Sequence, residues 1–178
     1  MKISSHDLQK SIRLFMLFCT AAGFLLHFAF TWSGRSPIAA LFAPVNESVW
    51  EHEKLLFYPF TAGAWFLSRR KKISAWTFPC MSAVLIGLVF IPGIYYTYTG
   101  ALGIQADWFN IIIFVIAVLL SCTLYGRLLQ RDPPAAFLSA LGGILLFLML
   151  LLFIVFTFIT PEIPLFQDPV NGTFGYQP

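Results

Sequence analysis

The chain has few charged residues for its length. Only 11% of its 178 residues are Asp, Glu, Lys or Arg, whereas 58% are hydrophobic. A soluble domain carries roughly 25% charged and 45–50% apolar residues. So few charges cannot cover a water-facing surface. The composition therefore argues against an ordinary soluble domain and favours a membrane protein.

Cysteine is sparse, and the common short metal motifs are missing. The three cysteines, Cys19, Cys80 and Cys122, stand alone in separate apolar segments. This spacing supports neither a zinc knuckle nor a disulfide framework, and no HExxH sequence of a zinc peptidase occurs. The only basic run, "RRKK" at 69–72, flanks an apolar segment. We therefore expect a lipid bilayer as partner and no nucleic acid.

Five apolar stretches are long enough to cross a bilayer, which takes about 20 helical residues. They cover residues 12–32, 49–68, 76–96, 108–125 and 136–160. Inside lipid every backbone group must be satisfied within its own segment, so these stretches should be helices. The sequence thus predicts an all-α polytopic membrane protein, with one transmembrane domain over residues 1–178 and five transmembrane helices.

Basic residues are distributed unevenly between the two ends of these spans. If five spans alternate, nine of the eleven Lys and Arg residues fall on one side, and only Arg35 and the border residue Lys54 fall on the other. Loops rich in Lys and Arg stay in the cytoplasm. We therefore predict a cytoplasmic N-terminus and an extracytoplasmic C-terminus.

The stretch "PVNESVWEHEKL" (44–55) gathers charges at the start of the second span. Ser48 and Glu51 fit a capping box, so the charges can be explained as a helix start. However, helical periodicity also places polar and aromatic residues on one face: Asn46, Glu47, Trp50, Glu51, Lys54 and Tyr58. Ionisable groups that descend into a span normally face other helices or a water-filled cavity. Both interpretations, a helix cap and an outward-facing acidic pocket, stay open.

Histidines add candidates for binding chemistry. His27 lies roughly 7–8 Å below the outer end of the first span, close to the depth of Lys54. A histidine there can bond a neighbouring helix, accept a proton or ligate a metal. Weak metal candidates are His52, Glu51 and Asp168; Lys54 would neutralise one carboxylate, and His52 projects about 100° from Glu51. No catalytic residue and no cofactor can be assigned.

The last segment, 161–178, is too polar and rich in turn residues to cross a membrane. "DPVNG" predicts a tight turn, and the segment also contains apolar residues that a floppy terminus would not need. We predict an ordered, non-helical tail that packs on the outer helix ends as a lid and brings Asp168 near the 44–55 stretch. In the fifth span, Ala135, Ser139 and Gly143 recur at four-residue spacing, which predicts close helix packing.

Together, "PVNESVWEHEKL" and "PEIPLFQDPVNGTFGY" resemble an uncharacterised family of small bacterial multipass membrane proteins. That family carries an Asn-Glu-Ser-x-Trp-Glu-His motif and a C-terminal Pro-Leu-Phe-x-Asp…Gly motif. The matching positions here are Asn46, Glu47, Ser48, Trp50, Glu51, His52, Pro164, Leu165, Phe166, Asp168, Gly172 and Gly175. The resemblance implies a multipass protein of the bacterial cytoplasmic (inner) membrane and supplies no activity.

Three hypotheses about function follow. The leading one is an outward-facing pocket that binds a cation or small polar solute for uptake or sensing; its residues would be Asn46, Glu47, Trp50, Glu51, Lys54, Tyr58, His27 and Asp168. The alternative is a membrane-embedded hydrolase or transferase, with or without a metal, that uses Glu and His as acid–base groups. The third is an accessory subunit of a larger membrane complex. As protein partners, the sequence leaves open further copies of this chain or a membrane partner subunit.

Overall fold

The computed structural model describes residues 5–104 and 106–177, and this part of the chain is helical. Its six α-helices are α1 (Ser5–Trp32), α2 (Pro37–Ala40), α3 (Val49–Lys71), α4 (Thr77–Tyr96), α5 (Asp107–Leu129) and α6 (Ala136–Phe158). A π-helical segment, Thr97–Ala101, follows α4, and a short 3-10 turn, Pro164–Phe166, lies in the tail. The described residues form no strand beyond an isolated bridge between Gln167 and Phe174.

By length and composition, four helices of the described chain can cross a membrane. They are His6–Trp32, Thr77–Ala101, Asp107–Leu129 and Ala136–Phe158. The remaining predicted span, 49–68, lies in α3, a helix of 23 residues that has acidic and basic residues near its two ends. Because of these charges, α3 is not among the four helices that are apolar enough to cross a membrane. The five-span architecture therefore stays a prediction.

Helix α3 contributes many residues to the interior of the bundle. Its Leu56, Phe60 and Ala64 are fully buried, and the Phe60 ring lies 4.9 Å from Phe15 of α1 and 5.7 Å from Tyr125 of α5 between centroids. The surrounding helices instead expose large apolar side chains along their lengths. Such continuous apolar surface is what a bilayer would cover.

Helices α4 and α6 approach each other at Gly142. A Cβ at Gly142 would lie 2.6 Å from the backbone of Phe78, whereas one at Gly143 would meet only a Thr77 methyl group at 3.8 Å. Thr77 Oγ1 also donates a hydrogen bond to the carbonyl oxygen of Ser139. The closest approach therefore uses Gly142, one residue away from the Ala135–Ser139–Gly143 repeat seen in the sequence.

The tail, residues 161–177 of the described chain, folds back onto the end of the bundle where α1 ends and α3 begins, here called the motif end. The Tyr176 amide donates to the Thr157 carbonyl oxygen at 2.7 Å, and the Gly172 amide donates to the Asp168 carbonyl oxygen at 2.9 Å, which closes the "DPVNG" turn. Gly175 has a φ of +59°, and a Cβ there would lie 2.7 Å from the Thr157 carbonyl oxygen. Only glycine fits this contact without strain.

Candidate functional site

The start of α3 is held by Ser48. Its Oγ accepts the Glu51 amide hydrogen bond at 3.3 Å, as an N-cap should. The Glu51 carboxylate, however, does not return to the Ser48 amide, as the predicted capping box would require. That amide donates to Asn46 Oδ1 at 3.0 Å. Glu51 is drawn away because tertiary contacts offer its carboxylate stronger partners.

Those partners centre on Lys54, whose side chain is fully buried. Its Nζ donates to Glu51 Oε2 at 2.7 Å, to Thr157 Oγ1 at 2.6 Å and to the Ala40 carbonyl oxygen at 3.0 Å. Glu51, itself 2% exposed, also accepts the Val45 amide at 3.0 Å. An ammonium has three N–H donors, and each finds an acceptor here.

This network joins α3 to α6 and to the loop between α2 and α3. Thr157 Oγ1 lies 2.9 Å from Glu51 Oε1, and the Tyr58 hydroxyl donates to the Leu41 carbonyl oxygen at 2.7 Å. Glu51, Lys54 and Tyr58 do not line the cavity at this end of the bundle. Their polar groups bond within the protein, so their contacts are those of a structural clamp.

Trp50 likewise packs inside the protein. Its ring lies 4.8 Å from Phe153 and 5.0 Å from Phe166 between centroids, which connects α3 to α6 and to the tail. Its Nε1 is buried without a hydrogen-bond partner among the described residues. Trp50, predicted to face a pocket, instead packs against α6 and the tail at the motif end.

Glu47 belongs to a different cluster, with His27 and His52. The three side chains come from the loop before α3, from α1 and from α3, and each offers one ligand atom within 4.8 Å of the other two. His52 Nε2 lies 3.3 Å from Glu47 Oε2, and the two imidazole rings are 5.2 Å apart between centroids. Glu47 is exposed, and His27 and His52 are partly buried. Unlike the Lys54 network, this cluster is open to its surroundings.

Hydrogen bonds orient two of these side chains. His52 Nδ1 lies 3.0 Å from the Ser48 carbonyl oxygen, which can only accept, so Nδ1 carries a proton. A second proton on Nε2 makes His52 an imidazolium that donates to Glu47, and this second proton must leave before Nε2 can ligate a metal. The hydrogen bond with His52 lowers the pKa of Glu47 below its ordinary value and so favours the carboxylate. His27 Nδ1 is buried and has no hydrogen-bond partner among the described residues. Metal-ligating histidines almost always donate their other ring N–H to a carbonyl, a carboxylate or water, and His52 makes such a contact through Nδ1 with Ser48.

Asp168 supports the cluster from the tail. Its Oδ2 accepts the Glu47 amide at 3.3 Å and its Oδ1 accepts the Val170 amide at 2.8 Å, although the residue is only 3% exposed. Asn46 adds a second link, because its Nδ2 donates to the Gly175 carbonyl oxygen at 3.3 Å. The structure therefore gives both residues a positioning role: they hold the backbone that carries Glu47.

A cavity of about 120 Å³ adjoins the cluster. Glu47 and His52 form part of one wall, the tail residues Pro169 and Val170 contribute to the lining, and polar side chains come from α4 and α5, namely Tyr95, Asp107 and Asn110. The cavity can hold a few water molecules or a small ligand group. The cluster thus lies beside a partly enclosed space lined by both polar and apolar side chains.

A family model described as a family of unknown function, DUF6512, matches residues 1–176. The chain belongs to the DUF6512 family. Membership confirms the uncharacterised family suggested by the sequence. Neither a curated protein nor a solved structure matches the chain significantly. The chemistry open to this DUF6512 protein therefore follows from its own side chains.

Sequence patterns found only part of this cluster. Among the weak metal candidates, His52 lies in it, whereas Glu51 is engaged by Lys54 and Asp168 by backbone amides. His27 and Glu47 were candidates for solute binding, and the structure brings them to His52. Tyr95, Asp107 and Asn110 of the DUF6512 chain were not candidates. The aromatic run around Tyr95 and the acidic start of α5 were the available signals.

Proposed function

We propose that this DUF6512 protein binds a divalent transition-metal ion of the zinc class through His27, Glu47 and His52, for uptake or sensing at the outer face of a bacterial cytoplasmic membrane. The observation that carries the proposal is that three ligand-bearing side chains from separate segments place their ligand atoms within 4.8 Å. This sharpens the predicted cation pocket and moves it away from Glu51 and Lys54.

The ligand set favours zinc-class metals over calcium. Two imidazoles and one carboxylate suit Zn²⁺ and similar ions. Ca²⁺ instead takes roughly 6–8 oxygen ligands. Zinc bonds of about 2.0–2.1 Å in a tetrahedron separate neighbouring ligand atoms by about 3.4 Å. The 3.3 Å between His52 Nε2 and Glu47 Oε2 is close to that value. The ligand atom of His27 lies within 4.8 Å of the other two, so His27 would have to move closer to complete the set.

The number of ligands supports exchange. Structural zinc sites are closed by four protein ligands, whereas three leave a position for water or another ligand. An uptake or sensing protein must release its ion, so an incomplete and accessible shell suits that role. The Lys54 ammonium does not repel the ion strongly, because Glu51 pairs with it at 2.7 Å.

The proposed orientation treats α3 as a fifth span, with a cytoplasmic N-terminus and the tail outside. Its 23 residues extend about 35 Å, more than the roughly 30 Å of a hydrocarbon core. Glu51, Glu53 and Lys54 are at most 5% exposed, so α3 would not present these charges to lipid. Support for the lid comes from Asp168, which bonds the Glu47 backbone. Opening of the tail would free Glu47 and release the ion.

Cysteine labelling tests this orientation. The native cysteines Cys19, Cys80 and Cys122 are buried, so an added exposed cysteine would give the signal. In intact cells a membrane-impermeant maleimide should label Asn171→Cys, while Arg131→Cys should react only after lysis. The reverse pattern would place the metal cluster inside the cell and contradict the proposal.

Zinc binding tests the function itself. Tag-free protein stripped of metal and purified in detergent should be stabilised by micromolar Zn²⁺ and much less by Ca²⁺, since a ligand that binds only the folded state raises its stability. The shift should disappear in His52→Ala and persist in His6→Ala, which removes an exposed histidine outside the cluster. Equal shifts in both variants would contradict the proposal.

A metal-dependent hydrolase or transferase is the second candidate, and the neighbouring cavity favours it. A metal at the cluster could activate a water molecule, and Tyr95, Asp107 and Asn110 could orient a small polar substrate beside it. Asp107→Asn separates the two candidates. It should leave metal affinity unchanged in both cases and reduce turnover of small ester or phosphoester substrates only if the protein is an enzyme.

A further inference from the structure

The end of the bundle opposite the metal cluster contains a second, larger cavity. It is a groove of about 640 Å³ between the first turns of α1 and the last turns of α3. On α1 its lining runs from Asp7 to Phe18, and on α3 from Ala62 to Lys71. The groove shares no residue with the cavity beside Glu47 and His52.

The part of the groove farther from the helix ends is apolar, and its side chains are exposed. Leu14, Phe18 and Phe66 line it and are 60%, 48% and 61% exposed. Gly63 forms part of its lining, and a side chain at this position would collide with the ring of Phe15. Gly63 therefore lets the Phe15 ring pack closely against α3 at the floor of the groove, whereas Ala62 beside it is exposed.

The rim of the groove is basic. Lys10, Arg70 and Lys71 line it together with one acid, Asp7. The two ion pairs among the described residues, Glu51–Lys54 and Glu47–His52, both lie at the motif end. The three rim cations therefore have no carboxylate partner within the part of the chain that the structure describes. Their charge is available to an anion.

The spacing of rim and apolar wall matches a molecule with an anionic head and a hydrocarbon chain. Phe18 lies eight residues beyond Lys10 on α1, and Ala62 lies eight residues before Arg70 on α3. Eight helical residues span about 12 Å. A molecule whose anionic head lies at the rim could thus extend its hydrocarbon chain along the apolar part of both helices.

We propose that this groove binds one anionic phospholipid. Its phosphate would be held by Lys10, Arg70 and Lys71, with the Arg70 guanidinium able to donate two parallel hydrogen bonds. One acyl chain would lie along Leu14, Phe18 and Phe66. Every bilayer lipid offers an acyl chain, so selectivity comes from the headgroup charge. A free phosphate would use only the rim and leave the apolar wall unfilled.

Thermal unfolding in detergent tests the proposal, with dioleoyl phosphatidylglycerol, dioleoyl phosphatidylcholine and inorganic phosphate as the three probes. Phosphatidylglycerol should raise the Tm by several degrees, saturating at one bound lipid per chain in native mass spectrometry. The other two probes should leave it nearly unchanged. Equal stabilisation by phosphatidylcholine would overturn the headgroup assignment, and equal stabilisation by inorganic phosphate would overturn the lipid.

Two double variants separate the groove from general surface charge. Arg70→Gln/Lys71→Gln removes two rim cations, whereas Arg69→Gln/Lys72→Gln removes the same charge from neighbours that do not line the groove. The first should lose most of the phosphatidylglycerol shift and the second should keep it. Equal loss in both would overturn the proposal.

Blocking the groove provides a variant that retains every charge. Ala62 is exposed and lines the apolar part, so Ala62→Trp should fill the channel and abolish the phosphatidylglycerol shift. The Tm of each variant without lipid shows whether it folds. Lys10→Gln replaces the rim double variant if that does not fold, and Leu14→Trp, at another exposed apolar position of the lining, replaces Ala62→Trp. A full shift in Ala62→Trp would overturn the assignment of the acyl chain.

Discussion

The Nζ atom of Lys54 lies 2.7 Å from Oε2 of Glu51, and the two side chains are 0% and 2% exposed. Their charges are neutralised within the protein, together with bonds to Thr157 and to the loop between α2 and α3. By contrast, the Glu47 side chain is 51% exposed and that of His52 is 28% exposed. The motif therefore contains two kinds of side chain. Glu51 and Lys54 are buried in contacts that connect α3 to the rest of the fold, whereas Glu47 and His52 are accessible from outside.

Removing one partner of the buried pair should destabilise the protein strongly. Glu51→Gln leaves the Lys54 ammonium buried without a counter-charge, a change that typically costs about 3–5 kcal/mol. Denaturant unfolding in detergent measures this cost. Glu162→Gln, at an exposed position of the same end, should change the free energy of unfolding by less than about 0.5 kcal/mol. Similar losses in the two variants would argue against the clamp.

The clamp should also show strong coupling between its two residues. Lys54→Met in the wild-type background leaves Glu51 buried without its cation, but in the Glu51→Gln background it removes a charge that has already lost its partner. The double variant should therefore lose less stability than the sum of the single variants, by about 0.5–3 kcal/mol. Additive losses in the unfolding free energy would mean that the two charges act independently.

Asp168 should hold the tail over the cluster. Asp168→Ala removes the acceptor of the Glu47 and Val170 amides, and losing each of these part-buried hydrogen bonds costs about 0.5–1.5 kcal/mol. Hydrogen exchange should become faster in residues 161–177 and at Glu47, while α4 and α5 stay protected. Glu162→Ala is the matched control from the same tail. Unchanged exchange in Asp168→Ala would show that other contacts hold the tail.

Neighbouring glycines in α6 should respond differently to alanine. Gly142→Ala would push a Cβ to within 2.6 Å of the Phe78 backbone, whereas Gly143→Ala meets nothing closer than 3.8 Å. Both changes gain the same helix propensity, about 1 kcal/mol, but overpacking should cost Gly142→Ala about 1–3 kcal/mol. A lower Tm for Gly142→Ala than for Gly143→Ala is expected, and the opposite order would contradict the α4–α6 contact.

Most of the helical architecture could be predicted from the sequence because apolar segment length decides it. The predicted start of the second span at residue 49 coincides with the first residue of α3, where Ser48 supplies the cap. Rotation about a helix axis was harder to predict. Gly142 rather than Gly143 faces α4, since small residues occur at both positions and only packing selects between them.

The site was predicted in parts for a similar reason. Distance along a helix placed His27 near the depth of the 44–55 stretch, but its contact with Glu47 and His52 depends on how α1 and the loop before α3 are oriented. A shared face correctly grouped Glu51 with Lys54, yet sequence periodicity cannot show that Thr157, 103 residues from Lys54, completes their network. Whether an acidic residue is bonded inside the protein or left accessible depends on the tertiary structure, which the helical pattern of the sequence does not show.

Cobalt absorption spectroscopy tests the metal cluster most directly, because Co²⁺ replaces Zn²⁺ and its visible spectrum reports the ligand geometry. Tag-free, metal-stripped protein should bind one Co²⁺ per chain with tetrahedral or five-coordinate bands that Zn²⁺ abolishes. His27→Ala, Glu47→Gln and His52→Ala should each weaken or remove these bands, whereas His6→Ala should retain them. A wild-type spectrum no different from hexaaquo Co²⁺, or one unaffected by His52→Ala, would contradict a metal site at His27, Glu47 and His52.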